Sequence, residues 1–213
     1  MDQFLFHLIN ERWTHPALDL FMAAVSDVEI WKPLLIVLAV CILIFGRFKG
    51  RAFVICLALA LILADFFLVS TLKTAIGRRR PKQVQKVRMV QLERTHPRFL
   101  TLFRRPTIRY SDETDRNNSG PSFPSGHVTD NVIIGTMFVL FFRRWGWLYF
   151  IVAAAVSYSR IYLGAHWPSD VFGTAFMAAG AALLVAALAE FIWKRWAPRW
   201  APGLFARHPR LID

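Results

Sequence analysis

Cysteine and metal-binding motifs are scarce in this sequence, and their scarcity excludes several kinds of protein. The two cysteines, Cys41 and Cys56, both lie inside apolar runs, so we expect no disulfide framework. The sequence has no HExxH motif and no Cys/His cluster, so we expect no metal ion or other cofactor. It also lacks a basic segment followed by an apolar run near its first residue, which argues against a cleavable signal peptide.

Acidic residues are few beside basic ones. The chain has 26 Lys and Arg residues against 14 Asp and Glu residues, which gives a formal net charge of +12. The basic residues are dispersed between apolar runs rather than gathered in one patch, so we do not expect a nucleic-acid partner. Anionic lipid headgroups explain this distribution better.

Apolar residues, in contrast, are abundant. They make up 55% of the chain, aromatic residues make up 15%, and the mean hydropathy is +0.39, which exceeds what soluble domains carry. Because about 20 apolar residues in a helix cross a bilayer core, the sequence predicts an all-α fold, a polytopic transmembrane helical bundle of five to six spans. The five clear spans are residues 31–46, 52–72, 127–142, 145–164 and 171–193.

Two regions lie outside these spans, although we expect residues 1–213 to form a single membrane-embedded domain. In residues 1–29, Glu11 and Asp19 interrupt the apolar positions, so we predict interfacial helices, with a partial sixth span as the alternative. Residues 82–123 form a long basic loop, and loops of this length are usually functional or disordered. This loop is either a cap that selects headgroups or a solvated excursion with a short interfacial helix around residues 98–103.

Three short motifs contain residues suited to binding a phosphoryl group, which has a charge of roughly −2. Lys73, Arg80 and Arg160 supply cations, and the planar guanidinium of arginine matches phosphate oxygens in pairs. Ser125 and Gly126 precede an apolar run that we expect to be helical. Their backbone N–H groups are therefore expected to point out of a helix N-terminus, where anions bind.

The same motifs contain two histidines and a carboxylate. His127 and His166 are candidate acid, base or nucleophilic groups, because the ordinary pKa of histidine lies near the working pH. Pro168 predicts that a helix begins between His166 and Asp170, which places Asp170 in its first turn, reaching back to the histidine. A carboxylate on one ring nitrogen frees the other nitrogen to attack, so His166 is interpreted as the nucleophile.

The three motifs are K-x6-RP from Lys73, PSGH from Pro124 and SR-x5-H-x3-D from Ser159. Together they resemble the signature of the type-2 phosphatidic acid phosphatase superfamily. That superfamily also includes the vanadium-dependent haloperoxidases. The resemblance implies that His166 is the nucleophile, Asp170 its orienting partner and His127 the general acid. It also implies a set of phosphate ligands, namely Lys73, Arg80, Ser125, Gly126 and Arg160.

The resemblance further implies a metal-independent lipid phosphatase that forms a phosphohistidine. Undecaprenyl diphosphate, phosphatidylglycerol phosphate, phosphatidic acid and a lipid A phosphate are all compatible substrates. One alternative is a vanadate-dependent haloperoxidase, against which the membrane spans argue because the haloperoxidases are soluble. The other is a lipid-binding protein without activity, which the completeness of the motifs disfavours. The sequence does not predict an oligomeric state.

Five spans alternate between the two sides of a membrane, which places all three motifs on one face. The opposite face is rich in basic residues, and the positive-inside rule makes it cytoplasmic. We therefore expect a bacterial inner membrane protein whose active site faces the periplasm or the outside. The basic residues of that opposite face are Arg47, Lys49, Arg51, Arg143, Arg144, Lys194, Arg195 and Arg199.

Overall fold

The computed structural model describes residues 1–117 and 119–212, most of them in helices. Residue 118 of the predicted loop and residue 213 of the predicted domain lie outside the described residues. The α-helices are α1 Asp2–His7, α2 Pro16–Ser26, α3 Val28–Phe45, α4 Phe48–Leu63, α5 Thr71–Ile76, α6 Pro81–Val84, α7 Glu113–Asn117, α8 Gly126–Phe142, α9 Tyr149–Tyr162, α10 Pro168–Trp200 and α11 Pro202–Arg207. Leu8–Arg12 and Ala64–Ser70 are π-helical, Arg98–Phe103 and Arg143–Leu148 are 3₁₀ helices, and the strands are β1 Arg88–Gln91 and β2 Thr107–Tyr110.

Four helical stretches are long and apolar enough to cross a membrane. Their surfaces are largely apolar: in α3, for example, Leu34, Ile36 and Val37 are all exposed. An apolar surface of this extent requires lipid around it, and the chain is an integral membrane protein with the predicted all-α bundle. The four stretches are Val28–Phe45, Phe48–Val84, Gly126–Tyr162 and Pro168–Trp200.

The stretch Gly126–Tyr162 is a helical hairpin rather than one long helix. The Tyr149 hydroxyl donates a hydrogen bond to Asn131 Oδ1 at 3.0 Å, whereas residues 18 positions apart in one helix are about 27 Å apart. At the turn, a Cβ atom on Gly146 would lie 2.3 Å from the backbone of Phe138, so only glycine allows this close approach. Helices α8 and α9 are therefore two separate passes, as the sequence predicts.

All three motifs lie at one end of the bundle. The first motif begins in α5 and ends where α6 begins at Pro81, and the second directly precedes α8. The third runs from the end of α9 to the first turn of α10. Because α8 and α9 form a hairpin, the start of α8 and the end of α9 are brought to the same end.

The predicted loop contains a small sheet that the sequence did not suggest. Strands β1 and β2 pair antiparallel, with Arg88 opposite Tyr110 and Gln91 opposite Thr107. The 3₁₀ helix Arg98–Phe103 lies between them, at the place predicted for a short helix. The sheet is the only one among the described residues, and it lies against the N-terminal helices rather than inside the bundle.

A buried ion pair joins the N-terminal helices to this sheet. One guanidinium nitrogen of Arg88 lies 2.8 and 2.7 Å from the two carboxylate oxygens of Asp19. The Tyr162 hydroxyl, at the end of α9, donates a hydrogen bond to the same carboxylate at 2.6 Å. Asp19 is 1% exposed, so the charge is held by its partners rather than by water.

We predict that Asp19→Asn lowers the free energy of unfolding by about 3 kcal/mol, because it leaves the Arg88 guanidinium buried and unpaired. Thermal or denaturant unfolding in detergent measures the change. Glu11→Gln, in the same segment, is the control, because Glu11 pairs with His7 at an exposed site. Equal stabilities of the two variants would contradict the prediction.

Candidate active site

The first motif reverses direction at a left-handed glycine. Helix α5 ends at Gly77, which has a φ of 59°, a conformation that favours glycine. The chain then extends to Arg80 before α6 begins at Pro81. Arg80 donates hydrogen bonds to the carbonyls of Gly120 at 2.9 Å and Ala165 at 3.4 Å. These neutral acceptors hold the guanidinium in place without neutralising its charge.

The second motif forms the start of α8, as predicted, but its donors differ in part from the prediction. The backbone N–H of Ser125 donates to Thr174 Oγ1 at 3.1 Å and so is not free to bind an anion. No side chain caps the helix, so the N–H groups of its first turn, beginning with Gly126, are the available donors. The Ser125 hydroxyl is buried and has no partner among the described residues.

The cations gather around this helix start. Arg160, at the end of α9, contacts the Ser26 hydroxyl, and its Nε is buried without a partner in the described part of the chain. Arg80 and Arg160 both act electrostatically on His166, and Lys73 lies in electrostatic range of Arg80. Cations this close repel one another unless an anion lies between them. Together with the orphaned Ser125 hydroxyl and Arg160 Nε, they suit an oxyanion.

His166 has a defined proton position. The ring is 2% exposed, and its Nδ1 lies 2.6 Å from the carbonyl oxygen of Ser122. A carbonyl only accepts hydrogen bonds, so Nδ1 has the proton and donates it. The neutral ring therefore has its lone pair on Nε2, the nitrogen available for nucleophilic attack.

His127 has the opposite arrangement. Its Nε2 lies 3.1 Å from the carbonyl oxygen of Ser26, at the end of α2. By the same reasoning Nε2 is the protonated nitrogen of His127 and donates to this carbonyl. The two histidines lie within electrostatic range of each other. His166 thus has Nε2 available to form a bond, and His127 has Nδ1 available to exchange a proton, because its Nε2–H is on the Ser26 carbonyl.

Asp170 does not hydrogen-bond His166, so the direct contact expected from the sequence is corrected. The buried carboxylate accepts hydrogen bonds from the Ser122 hydroxyl at 2.5 Å and from the Trp167 N–H at 3.1 Å. Since the carbonyl of Ser122 holds His166, Asp170 reaches the histidine through Ser122. In the Trp167 contact, Asp170 in the first turn of α10 accepts a hydrogen bond from the residue before the helix, as in a capping box. The helix thus begins where Pro168 predicts.

Three functional contacts were missed by sequence reasoning. Arg78 pairs with Asp170 at 2.6 Å, a contact across 92 positions of the chain. Ser122 and Ser26 contact the histidines through backbone carbonyls, which no side-chain pattern reveals. Among residues 1–117 and 119–212, His, Cys, Asp and Glu side chains form no group of three that could hold a metal ion.

Comparison with known proteins identifies the family. The family model for the PAP2 superfamily matches residues 53–197, more than half of the chain, including all three motifs. This chain belongs to the PAP2 superfamily. The resemblance found in the motifs is therefore confirmed.

Individual relatives share parts of the sequence and most of the fold. Bacitracin transport permease protein BcrC of Bacillus licheniformis is 36% identical over 97 residues, 46% of this chain and 45% of BcrC. The lipid A 4′-phosphatase of Bacteroides thetaiotaomicron is 26% identical over 167 residues, 76% of this chain and 65% of that protein. The aligned parts thus span less than two thirds of either relative. The crystal structure of Aquifex aeolicus LpxE matches with a TM-score of 0.61 and 26% identity, covering 86% of this chain and 93% of that one.

The electrostatics of the site favour the neutral form of His166. Burial lowers its pKa well below the ordinary value, and the charges of Arg80 and Arg160 lower the pKa further. The hydrogen bond to the Ser122 carbonyl opposes this effect and does not outweigh it. The ring therefore stays neutral at pH values where a histidine in water is protonated.

A dependence of stability on pH follows. Below about pH 6.5 the unfolded chain binds a proton at His166 that the folded chain excludes. Folding stability should then fall on acidification, by at most about 1.4 kcal/mol per pH unit from this residue. Unfolding temperatures at pH 7 and pH 5 should differ more in the wild type than in His166→Gln. Equal shifts would show that His166 is not kept neutral.

Proposed function

We propose that this protein is a metal-independent membrane lipid phosphatase that hydrolyses a phosphate monoester or diphosphate through a phosphohistidine intermediate. The observation that supports this best is the pair of oppositely protonated histidines beside two arginines. Nε2 of His166 has a lone pair, and His127, whose Nε2–H is on the Ser26 carbonyl, has Nδ1 to carry a second proton. Displacement at phosphorus needs both, a nucleophile on one side and a proton donor for the leaving group.

The first step transfers the phosphoryl group to His166. Its Nε2 lone pair forms a bond to phosphorus while the bond between phosphorus and the lipid oxygen breaks. A bound phosphate dianion favours the doubly protonated form of His127. Because its Nε2 proton is held by the Ser26 carbonyl, the ring gives its Nδ1 proton to the leaving oxygen. The Nδ1 proton of His166 stays on its hydrogen bond to Ser122, so the positive charge that develops on the ring is stabilised there.

The second step returns both histidines to their starting forms. His127, now with a lone pair on Nδ1, accepts a proton from water as the water oxygen attacks phosphorus. The bond between phosphorus and His166 breaks, and inorganic phosphate leaves. Throughout, the charge on the phosphoryl oxygens is stabilised by positioned cations and N–H groups. We assign this role to Lys73, Arg80, Arg160, Ser125 through its hydroxyl, and Gly126 through its N–H.

A lipid substrate is supported by the position of the site. It lies at the end of apolar helices whose outer surfaces face lipid tails, so a phosphate at headgroup depth is within reach while the lipid stays in the bilayer. One relative is named as a lipid A 4′-phosphatase, which also supports a phosphorylated lipid. Undecaprenyl diphosphate, phosphatidylglycerol phosphate, phosphatidic acid and a lipid A phosphate remain the candidates.

The proposed location is a bacterial inner membrane, with the site facing the periplasm or the outside. Basic residues flank the helix ends far from the motifs: Arg47 directly precedes α4, and Arg143 and Arg144 lie between α8 and α9. Lys194, Arg195 and Arg199 lie in the last turns of α10. By the positive-inside rule this end is cytoplasmic, which leaves the motifs on the other side.

Purified protein in detergent is expected to release phosphate from at least one of the four lipids in the presence of EDTA. His166→Ala, His127→Ala and Asp170→Ala should each lower the rate at least about 100-fold, because the histidines act in bond making and breaking and Asp170 positions His166 through Ser122. Acid-labile radioactive phosphate should be trapped on the wild type but not on His166→Ala. Full activity of His166→Ala would contradict the mechanism, and halide oxidation on adding vanadate would favour the haloperoxidase alternative.

Ser122→Ala tests the route by which Asp170 acts. The variant keeps the backbone carbonyl that holds His166 but loses the hydroxyl that holds Asp170. We expect kcat to fall about tenfold with KM little changed, because a small displacement of a nucleophile slows the chemical step. Steady-state kinetics with the best lipid of the panel measure this. An unchanged kcat would show that the hydroxyl has no part in the reaction.

A further inference from the structure

The N-terminal segment, residues 2–26, contacts both sides of the candidate site. At one end Asp2 accepts hydrogen bonds from Arg78 at 2.6 Å and from the backbone N–H of Ser169 at 2.9 Å. At the other end Ser26 contacts His127 through its carbonyl and Arg160 through its hydroxyl. The family match begins at residue 53, so this segment lies outside the matched region.

Asp2 belongs to a chain of polar contacts that ends on His166. Arg78 uses one guanidinium nitrogen for Asp2 and the other for Asp170, each at 2.6 Å. Asp170 holds the Ser122 hydroxyl, and the Ser122 carbonyl holds Nδ1 of His166. Arg78 is thus oriented by two carboxylates, one in the motif and one outside it.

Asp2 also caps the helix that contains Asp170. Its carboxylate accepts from the N–H and the hydroxyl of Ser169 at 2.9 and 2.6 Å, and Ser169 is the second residue of α10. A carboxylate at a helix N-terminus satisfies an orphan N–H group and interacts favourably with the helix dipole. Four residues further along, Phe6 is fully buried and packs on Trp167 at 5.2 Å between ring centroids, which fixes the segment against α10.

The carboxyl group of Asp2 is suited to this role. Burial raises its pKa, but hydrogen bonds from Ser169 and the charge of Arg78 outweigh burial, and the pKa lies below its ordinary value. Asp2 is therefore ionised near neutral pH and accepts hydrogen bonds from both partners.

We infer that Asp2 is a positioning residue of the active site, acting on His166 through Arg78, Asp170 and Ser122. The effect of Asp2 on the reaction rate rests on the proposed function. Its effect on the protonation of His166 rests on the geometry alone. Asp2 lies outside the three motifs. The N-terminal segment is on this account a part of the site rather than only a membrane-surface element.

The kinetic test compares Asp2→Asn, which removes the charge at constant size, with Asp2→Glu and Glu11→Gln. Asp2→Asn should lower kcat about tenfold with KM within about twofold of the wild type, because the phosphate ligands are untouched. Asp2→Glu should recover most of the loss, and Glu11→Gln should match the wild type. Combined with Ser122→Ala, Asp2→Asn should cause little further loss, since both act through one chain of contacts. Fully additive losses, or a change in KM alone, would overturn the inference.

A second measurement does not depend on the substrate. Selective ¹⁵N labelling of histidine distinguishes the two ring tautomers, and His166→Gln assigns the signals of His166. In the wild type His166 should be the Nδ1–H tautomer, and in Asp2→Asn the Nε2–H tautomer should appear. An unchanged spectrum would overturn the inference even if the enzyme is active. If no lipid is hydrolysed but the tautomer shifts, the proposed function fails and the inference stands.

Discussion

Moving a carboxylate out of water costs several kcal/mol unless other groups replace the water. Asp170 is completely buried, and its replacements come from three separate parts of the chain: the Arg78 guanidinium, the Ser122 hydroxyl and the Trp167 N–H. Because the carboxylate tolerates no missing partner, it holds the first motif, the residues before the second motif and the start of α10 in one arrangement. The position of His166 is a consequence of this requirement.

Arg80 and Arg160 are held in place by groups that do not neutralise their positive charge. Arg80 is held by carbonyls and Arg160 by a serine hydroxyl, neutral groups that leave the positive charge available. Arg78, only two residues from Arg80, is instead paired with two carboxylates. Two arginines of one motif thus have different partners: carboxylates neutralise Arg78, whereas Arg80 keeps its charge.

Much of the bundle could be predicted from the sequence because local signals specify it. Long apolar runs set the spans, Pro168 marks the start of α10, and the apolar run after Gly126 sets α8. The contacts that complete the site could not be predicted, since they join residues far apart in the chain. Ser26 meets His127 across 101 positions, and the charged residue that interrupts α2, Asp19, is an ion-pair partner of Arg88 69 positions away. The strands β1 and β2 have four residues each, too few for an alternating pattern to be distinguished from a loop.

The tight turn between α8 and α9 has a consequence for how the protein is made. Since Gly146 packs directly on the backbone of Phe138, the two helices are in contact from the turn onward and suit insertion into the membrane as a pair. His127 is at the first end of this pair and Arg160 at the last. In a nascent chain in which only α8 has entered the bilayer, His127 is at the membrane surface but Arg160 is not yet in place beside it. The candidate site therefore has both residues only when the whole hairpin is in place, and a partly inserted chain lacks a complete site.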